Sequence, residues 1–158
     1  MNTTITDKTI MLSRKGLKEL KKQIHQFEHD KKKISQSLRE IDKTSGHEDR
    51  LDMSEKLSAL EYIELEIAEK KTILANVKLL PSKRSHLRVA LGSVVELIDS
   101  YGHFFRYTIV DSIEANPSDG RISTESPLGR SLIGRTVQDV VEWRNGNRFN
   151  KFQLVRIV

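Results

Sequence analysis

Apolar residues in the first half of the chain recur with helical spacing. They step alternately by three and four residues: Leu17, Leu20, Ile24, Phe27, Lys31, Ile34, Leu38 and Ile41. Lys31 is the one polar member of this stripe. A two-position heptad stripe that continues for more than three heptads predicts a long coiled-coil helix. Ser13 is placed to cap the N-terminus of this helix.

A second apolar stripe follows after a short break. Its members are Met53, Leu57, Leu60, Ile63, Ile67, Lys70, Leu74 and Val77, with one phase slip after Leu60. Facing residues of an antiparallel hairpin have position numbers with a nearly constant sum, and the two stripes pair with sums of 94 or 95. This places the reversal at His47, beside the turn residues Ser45 and Gly46. The pattern predicts a hairpin arm about 45 Å long. A dimerising coiled coil is the alternative.

Beyond Pro81 the pattern changes to short runs of β-branched and aromatic residues. Five runs predict strands: SVVELID, FRYTIVD, GRIST, DVVEW and KFQLVRIV. Asn145-Gly146 predicts a two-residue hairpin loop, and SPLGRSLIG predicts a short helix or tight loop. The predicted fold class is α+β: a helical hairpin over 1-80 with its tip near 44-52, followed by a small, mostly antiparallel sheet domain over 81-158.

Composition narrows the classes of function. The chain has no cysteine, which excludes disulfides and Cys-ligated metal sites. It has neither the basic and apolar segments of a signal peptide nor an apolar run long enough to span a bilayer. We therefore expect a cytoplasmic protein without a membrane partner. The net charge of +5 favours a polyanionic partner, either nucleic acid or a machine that handles it.

The two predicted helices differ in charge. Residues 11–45 contain ten Lys or Arg and five Asp or Glu, whereas residues 47–80 contain five and eight. This contrast predicts ion pairs between the helices. The run Lys31-Lys32-Lys33 is denser than such pairing requires, and it predicts contact with phosphate groups. A solvated surface is the alternative.

Two other groups of polar residues are candidate sites. Carboxylates collect at the predicted reversal, namely Glu48, Asp49, Asp52 and Glu55. A solvated acidic loop is the alternative reading of this group. His25 and His29 have the four-residue spacing of a helical metal pair. The heptad frame puts both at exposed positions without a third ligand nearby.

The second half of the chain resembles a known family. The run from Tyr107 to Trp143 resembles the C-terminal domain of the bacterial transcript-cleavage factors GreA and GreB. The matching pieces are YTIV at 107–110, EA at 114–115, GRIS at 120–123, SPLGR at 126–130, LIG at 132–134 and DVV at 139–141. RKGLKELKKQI is similar to the family's first helix, and the resemblance extends from about Met11 to Val158.

The resemblance implies a fold and a set of partners. It implies an FKBP-like C-terminal domain that docks on bacterial RNA polymerase, with Ser126, Pro127, Leu128 and Arg130 at or near the contact. It also implies a coiled coil that enters the secondary channel, close to the 3′ segment of the nascent RNA, with DNA as a further candidate partner. A monomer is expected.

The resemblance also implies a mechanism. Tip carboxylates help to hold a Mg²⁺ ion of the polymerase active site, and the polymerase itself cleaves backtracked RNA. The factor is therefore not expected to be an enzyme or to bind a cofactor stably. A hard cation that keeps several waters needs only one or two protein carboxylates.

The tip departs from the family pattern. The family has an acidic residue directly after the tip glycine and another three residues later, positions that His47 and Arg50 occupy here. We therefore predict Glu48 and Asp49 as the tip pair, with Asp52 as a third carboxylate. Some family members enter the channel without stimulating cleavage, and this is the alternative function. A proline isomerase and a free-standing nucleic-acid binder are two further alternatives.

Overall fold

A computed structural model describes residues 9–41, 49–81 and 85–158. Its contacts divide the chain into two compact units. One contains Lys15–Val77, and the other contains Ile10–Arg14 together with Lys78–Val158. The predicted ranges, 1-80 and 81-158, assign Ile10–Arg14 to the hairpin instead.

The first unit is built from two helices of equal length. Helix α1 spans Arg14–Ile41 and helix α2 spans Asp49–Asn76, each with 28 residues. This corresponds to about 42 Å at 1.5 Å per residue. The predicted turn residues Ser45, Gly46 and His47 lie outside the described residues.

Ion pairs between the helices confirm the antiparallel hairpin. The Lys71 Nζ lies 2.7 Å from Glu28 Oε1, and the Lys31 Nζ lies 2.9 Å from Glu64 Oε1. The earlier residue of α1 thus contacts the later residue of α2. The charge contrast between the two halves of the hairpin therefore supplies pairing across it, as predicted.

The predicted apolar stripe of α1 is confirmed. Leu20 and Ile24 are buried. The remaining members are all partly buried: Leu17, Phe27, Lys31, Ile34, Leu38 and Ile41. A narrow stripe of this kind suits the packing of one helix against a single partner helix.

The stripe of α2 differs from the prediction at two positions. Met53 is 36% exposed and Leu57 is 47% exposed, whereas Lys56 is partly buried. The observed stripe begins at Lys56 and alternates steps of four and three without a phase slip: Lys56, Leu60, Ile63, Ile67, Lys70 and Leu74. The predicted phase slip was wrong because the prediction placed Leu57, the more apolar of two adjacent residues, in the stripe instead of Lys56. A lysine can bury its aliphatic stem while its ammonium reaches a partner, here Asp52 Oδ2 at 2.7 Å.

The second unit contains a five-stranded sheet. Its strands are β3 (Val94–Asp99), β4 (Phe104–Val110), β5 (Arg121–Ser123), β6 (Val140–Asn145) and β7 (Arg148–Ile157), in the order β5-β4-β3-β7-β6. All five strands were predicted. The pairing is antiparallel except between β4 and β5, which are parallel.

The β6–β7 hairpin confirms the predicted loop with a shift of one residue. Asn145 pairs with Arg148, so the two loop residues are Gly146 and Asn147. Gly146 has a φ of 60°, a value that favours glycine.

One face of the sheet packs against helix α3, which spans Pro127–Leu132. Alternate strand residues and two leucines of α3 form the core: Val89, Val95, Leu97, Ile109, Ile122, Leu128, Leu132, Val141, Phe152, Leu154 and Ile157. The Phe105, Tyr107 and Trp143 side chains pack against the same core. The predicted short helix or tight loop is therefore a helix, and it covers the sheet.

A buried carboxylate ties the segment before α1 to the sheet domain. Strand β1 (Ile10–Leu12) forms a two-stranded sheet with β2 (Val77–Leu79). Ser13 lies directly before α1, where an N-cap was predicted. Its N–H donates to Glu114 Oε2 at 3.0 Å and its hydroxyl donates to Glu114 Oε1. The Arg121 Nη1 is 3.8 Å from Glu114 Oε1.

None of the helices within residues 9–41, 49–81 and 85–158 is long and apolar enough to cross a membrane. The same residues contain no group of three His, Cys, Asp or Glu side chains arranged to hold a metal ion.

We expect Glu114→Ala to lower the free energy of unfolding of the sheet domain by about 2–3 kcal/mol, because the change removes a buried acceptor of two hydrogen bonds. Urea unfolding followed by the fluorescence of Trp143 measures this, since Trp143 is the chain's one tryptophan. Glu142→Ala is the matched control, because the Glu142–Lys151 pair is exposed and should contribute at most about 1 kcal/mol. Equal effects of the two changes would contradict the role of Glu114.

Candidate functional site

Two of the three predicted tip carboxylates, Asp49 and Asp52, lie at the start of α2. Glu48 is outside the described residues, and Asp49 is the first residue of the helix. Asp52 is exposed, and it pairs with Lys56 one turn further along. Carboxylates in a first helical turn are favoured by the helix dipole. Local helix stability therefore accounts for part of this acidic cluster.

Arg50 and Glu55 also project from the first two turns of α2, and both are exposed. The acidic end of the hairpin thus includes a cation at one of the positions where the family has a carboxylate. The structure places Asp52 and Glu55 on the helix itself, one to two turns after Asp49, as the hairpin register predicted.

The three lysines of the basic run occupy different environments. Lys31 belongs to the partly buried stripe and pairs with Glu64. Lys32 and Lys33 are exposed. The run is therefore not a single cluster, because successive residues of a helix point in directions about 100° apart.

A surface groove along α1 collects part of this run. Its lining residues recur at helical spacing: Glu28, Lys31, Lys32, Ser35, Gln36 and Arg39. Sequence reasoning missed Arg39, although its seven-residue separation from Lys32 is the spacing of one helix face. Lys33 does not line this groove. Lys32 and Arg39 are thus the exposed cations that the groove brings together.

Electrostatics in the groove are set partly by the second helix. The Lys71 ammonium, hydrogen-bonded to Glu28, holds the pKa of that carboxyl below its usual value. Glu28 therefore stays ionised and offsets part of the basic charge. Its histidine neighbours pair locally: His25 Nδ1 is 3.8 Å from Glu28, and His29 Nδ1 is 3.7 Å from Asp30.

The four residues that the resemblance assigns to docking fall into two groups. Ser126 caps α3, since its hydroxyl accepts from Gly129 N at 3.0 Å and donates to Ser123 O at 2.7 Å. Leu128 is buried in the core with 8% exposure. Pro127 and Arg130 are exposed on the first turn of the helix. Ser126 and Leu128 shape the turn, and the exposed Pro127 and Arg130 are accessible to a partner.

Gly129 is a fifth member of this turn that sequence reasoning did not assign. A Cβ at this position would lie 2.0 Å from the Ser123 carbonyl oxygen. No such contact is sterically tolerable, so only glycine allows α3 to approach β5 this closely. A glycine inside a predicted helix was the available signal.

The aromatic residues of the sheet domain divide between interior and surface. The Phe152 ring stacks on Trp143 at 4.6 Å and meets Phe105 edge-on at 5.2 Å between centroids. These rings fill the core. They are the side chains that a proline isomerase would need around an open apolar pocket. Three other rings, Tyr101, Phe104 and Phe149, are exposed.

Comparisons with known proteins show similarity to transcription elongation factors. The model of the C-terminal domain of the GreA/GreB transcription elongation factors matches residues 84–157. The chain is 35% identical over 125 residues to transcription elongation factor GreA of Helicobacter pylori, which covers 76% of each protein. It is 37% identical over 132 residues to GreA of Mycoplasma pneumoniae, covering 81% of this chain and 82% of that protein.

A solved structure of GreA factor homolog 1 (Gfh1) from Thermus thermophilus aligns with a TM-score of 0.46 and 27% identity, over 96% of this chain and 99% of that one. The two GreA relatives exceed 30% identity and span more than two thirds of the chain. On that similarity, and on the matching C-terminal domain, the chain belongs to the GreA/GreB family of transcription elongation factors.

Proposed function

We propose that this protein binds bacterial RNA polymerase, inserts its helical hairpin into the secondary channel and stimulates cleavage of backtracked RNA. The observation that carries the proposal is the hairpin itself: two 28-residue helices whose reversal is flanked by carboxylates. An arm about 42 Å long exceeds what a small sheet domain needs for its own stability. Reach to a buried site explains both its length and the position of its acidic residues.

The tip is assigned a supporting role, and the metal ions of the polymerase are assigned the hydrolysis. Glu48 and Asp49, with Asp52 as a third candidate, would add an oxygen ligand to a Mg²⁺ ion of the polymerase. Carboxylate oxygens suit this hard cation. When bound, the metal pair supplies the hydrolysis, so the protein acts without being an enzyme. Asp52 pairs with Lys56, and this ion pair would have to open before Asp52 could bind a metal ion.

A second candidate function is channel occupancy without cleavage. The observation in its favour is the cation Arg50, exposed in the first turn of α2 where the family has a carboxylate. A positive side chain there would repel a metal ion and weaken its binding. In this case the hairpin would slow RNA synthesis instead of promoting hydrolysis.

The double variant Glu48→Ala and Asp49→Ala should reduce transcript cleavage in a stalled, backtracked complex by at least about tenfold, because metal ligands are lost. Affinity for the polymerase should change by less than about twofold, since docking is assigned to the sheet domain. Gel analysis of the shortened RNA measures cleavage. Glu61→Ala, which changes an exposed carboxylate farther along α2, is the control. Asp52→Ala with Glu55→Ala tests the register: if it abolishes cleavage while the first variant remains active, the assigned tip pair is out of register.

If the wild-type protein and both double variants leave cleavage at the level of polymerase alone, and the wild-type protein slows elongation, the second candidate function is supported. In that case Arg50→Glu should increase cleavage, because it restores a carboxylate at the position where the family has one.

The groove on α1 generates a prediction about RNA contact. Replacing Lys32 and Arg39 by Gln should weaken crosslinking to the RNA 3′ segment and lower the salt slope of that binding by about 1.4, at about 0.7 per phosphate contact with a single strand. Lys33→Gln is the matched control because Lys33 does not line the groove. An equal effect of Lys33→Gln would show that the groove does not define the RNA contact, and it would contradict the assignment of Lys32 and Arg39.

The exposed residues of the α3 turn generate a prediction about docking. Pro127→Ala with Arg130→Ala should weaken binding to core polymerase by about tenfold, or about 1.4 kcal/mol. The domain should remain folded, because both side chains are exposed. Arg148→Ala changes another exposed arginine and serves as control. Binding that survives the double change would remove the docking assignment from this turn.

A further inference from the structure

The sheet has a second face, opposite to its core. On β3, Glu96 and Ile98 alternate with Val95 and Leu97, which are fully buried. Directly opposed residues of an antiparallel pair share a face. The β4 partners of Glu96 and Ile98 are Arg106 and Phe104, and their β7 partners are Arg156 and Gln153. These residues therefore lie on the face away from the core, which we call the outer face.

The outer face continues across the β6–β7 hairpin. Val140, Glu142 and Arg144 alternate with Val141 and Trp143 along β6, and their β7 partners complete the surface: Gln153, Lys151 and Phe149. The outer face thus spans four neighbouring strands.

Aromatic rings stand at two ends of this face. Phe104 is 70% exposed and Phe149 is 75% exposed, and Tyr101, in the turn that precedes β4, is 87% exposed. By contrast, the Phe105, Tyr107, Trp143 and Phe152 rings pack in the core. Both exposed rings are therefore accessible to a ligand that stacks on aromatic faces.

The charge of the outer face is basic. Arg106, Arg144, Lys151 and Arg156 are exposed there, against the two carboxylates Glu96 and Glu142, so the face carries a net charge of +2. Glu142 is 3.3 Å from Lys151. The Arg144 guanidinium carbon lies 4.8 Å from the centre of the Phe149 ring, an arrangement in which the cation and the ring form one stacked surface.

We propose that the outer face binds single-stranded RNA. Exposed rings interleaved with arginines match a ligand that has both aromatic faces and phosphates, and stacking of this kind tolerates any base. A duplex would hide the base faces, and a protein partner would need a more continuous apolar patch than these separated rings provide. RNA is the single strand at hand for a transcription elongation factor. The proposal requires neither the hairpin nor cleavage, and it goes beyond the function proposed above.

The spacing of the rings suits a strand of several nucleotides. Phe104 and Phe149 are separated by two strand spacings across the sheet and four residues along β7, or about 16 Å. Lys151 lies between the rows of the two rings, whereas Arg106 and Arg156 lie on either side of Glu96, beyond Phe104 as seen from Phe149. A strand that stacks on both rings can therefore place phosphates at Lys151, and at the two arginines where it continues past Phe104.

Fluorescence anisotropy with a labelled oligouridylate of about 12 nucleotides tests the proposal on the full chain. Phe104→Ala with Phe149→Ala should weaken binding at least about tenfold, since each lost stacking contact costs about fivefold or more. Phe104→Trp with Phe149→Trp should preserve binding. Tyr62→Ala, which removes an exposed ring from α2, is the matched control and should have no effect. Arg106→Gln with Arg156→Gln should lower the salt slope by about 1.4.

Three results would overturn the proposal, provided that Trp143 fluorescence shows each variant to be folded. The first is unchanged RNA affinity of the Phe104→Ala, Phe149→Ala variant. The second is a wild-type dimer in sedimentation that this variant dissociates, which would assign the face to a second copy. The third is a loss of polymerase affinity in this variant without any loss of RNA affinity, which would assign the face to a protein partner.

Discussion

A narrow apolar stripe between two antiparallel helices is the constraint on which the hairpin depends. Each helix offers about two core positions per heptad, so the 28-residue arm is held by a thin line of side chains and by exposed ion pairs such as Lys31–Glu64. Exposed pairs contribute at most about 1 kcal/mol each. The hydrophobic stripe therefore supplies most of the stability. The remaining surface of both helices is left for charged residues that can meet a partner.

The sheet domain solves a different packing problem. Its core lies between one sheet face and α3, and the close approach of that helix to β5 requires Gly129. The same turn presents Pro127 and Arg130 to solvent because Ser126 and Leu128 are fixed beneath them. The contacts of Ser126 and Leu128 thus set the positions of Pro127 and Arg130 on the surface. The buried Glu114 adds the segment before α1 to this domain through two hydrogen bonds from Ser13.

The sequence predicted what local periodicity determines. The α1 stripe, the five strands and the short helix follow from the spacing of apolar residues, and the structure contains all of them. Prediction failed where a side chain behaves in two ways or where a contact is distant in sequence. Lys56 takes the interface position that Leu57 was expected to fill, because a lysine stem is apolar. The Glu114–Ser13 contact and the parallel pairing of β4 with β5 depend on tertiary packing. Arg39 was not predicted because it lies seven residues after Lys32, outside the run of adjacent lysines, and only the helix brings the two onto one face.

The central claim is that the acidic end of the hairpin reaches the polymerase active centre. The chain has no cysteine, so Glu55→Cys provides a unique site for a spin label one to two turns from Asp49. The most direct measurement is the distance from this label to Mn²⁺ bound in place of the catalytic Mg²⁺, by pulsed electron paramagnetic resonance. Six residues of helix and a label arm predict a distance below about 25 Å. A distance above about 40 Å, close to the length of the arm, would place the tip outside the active centre and contradict the account.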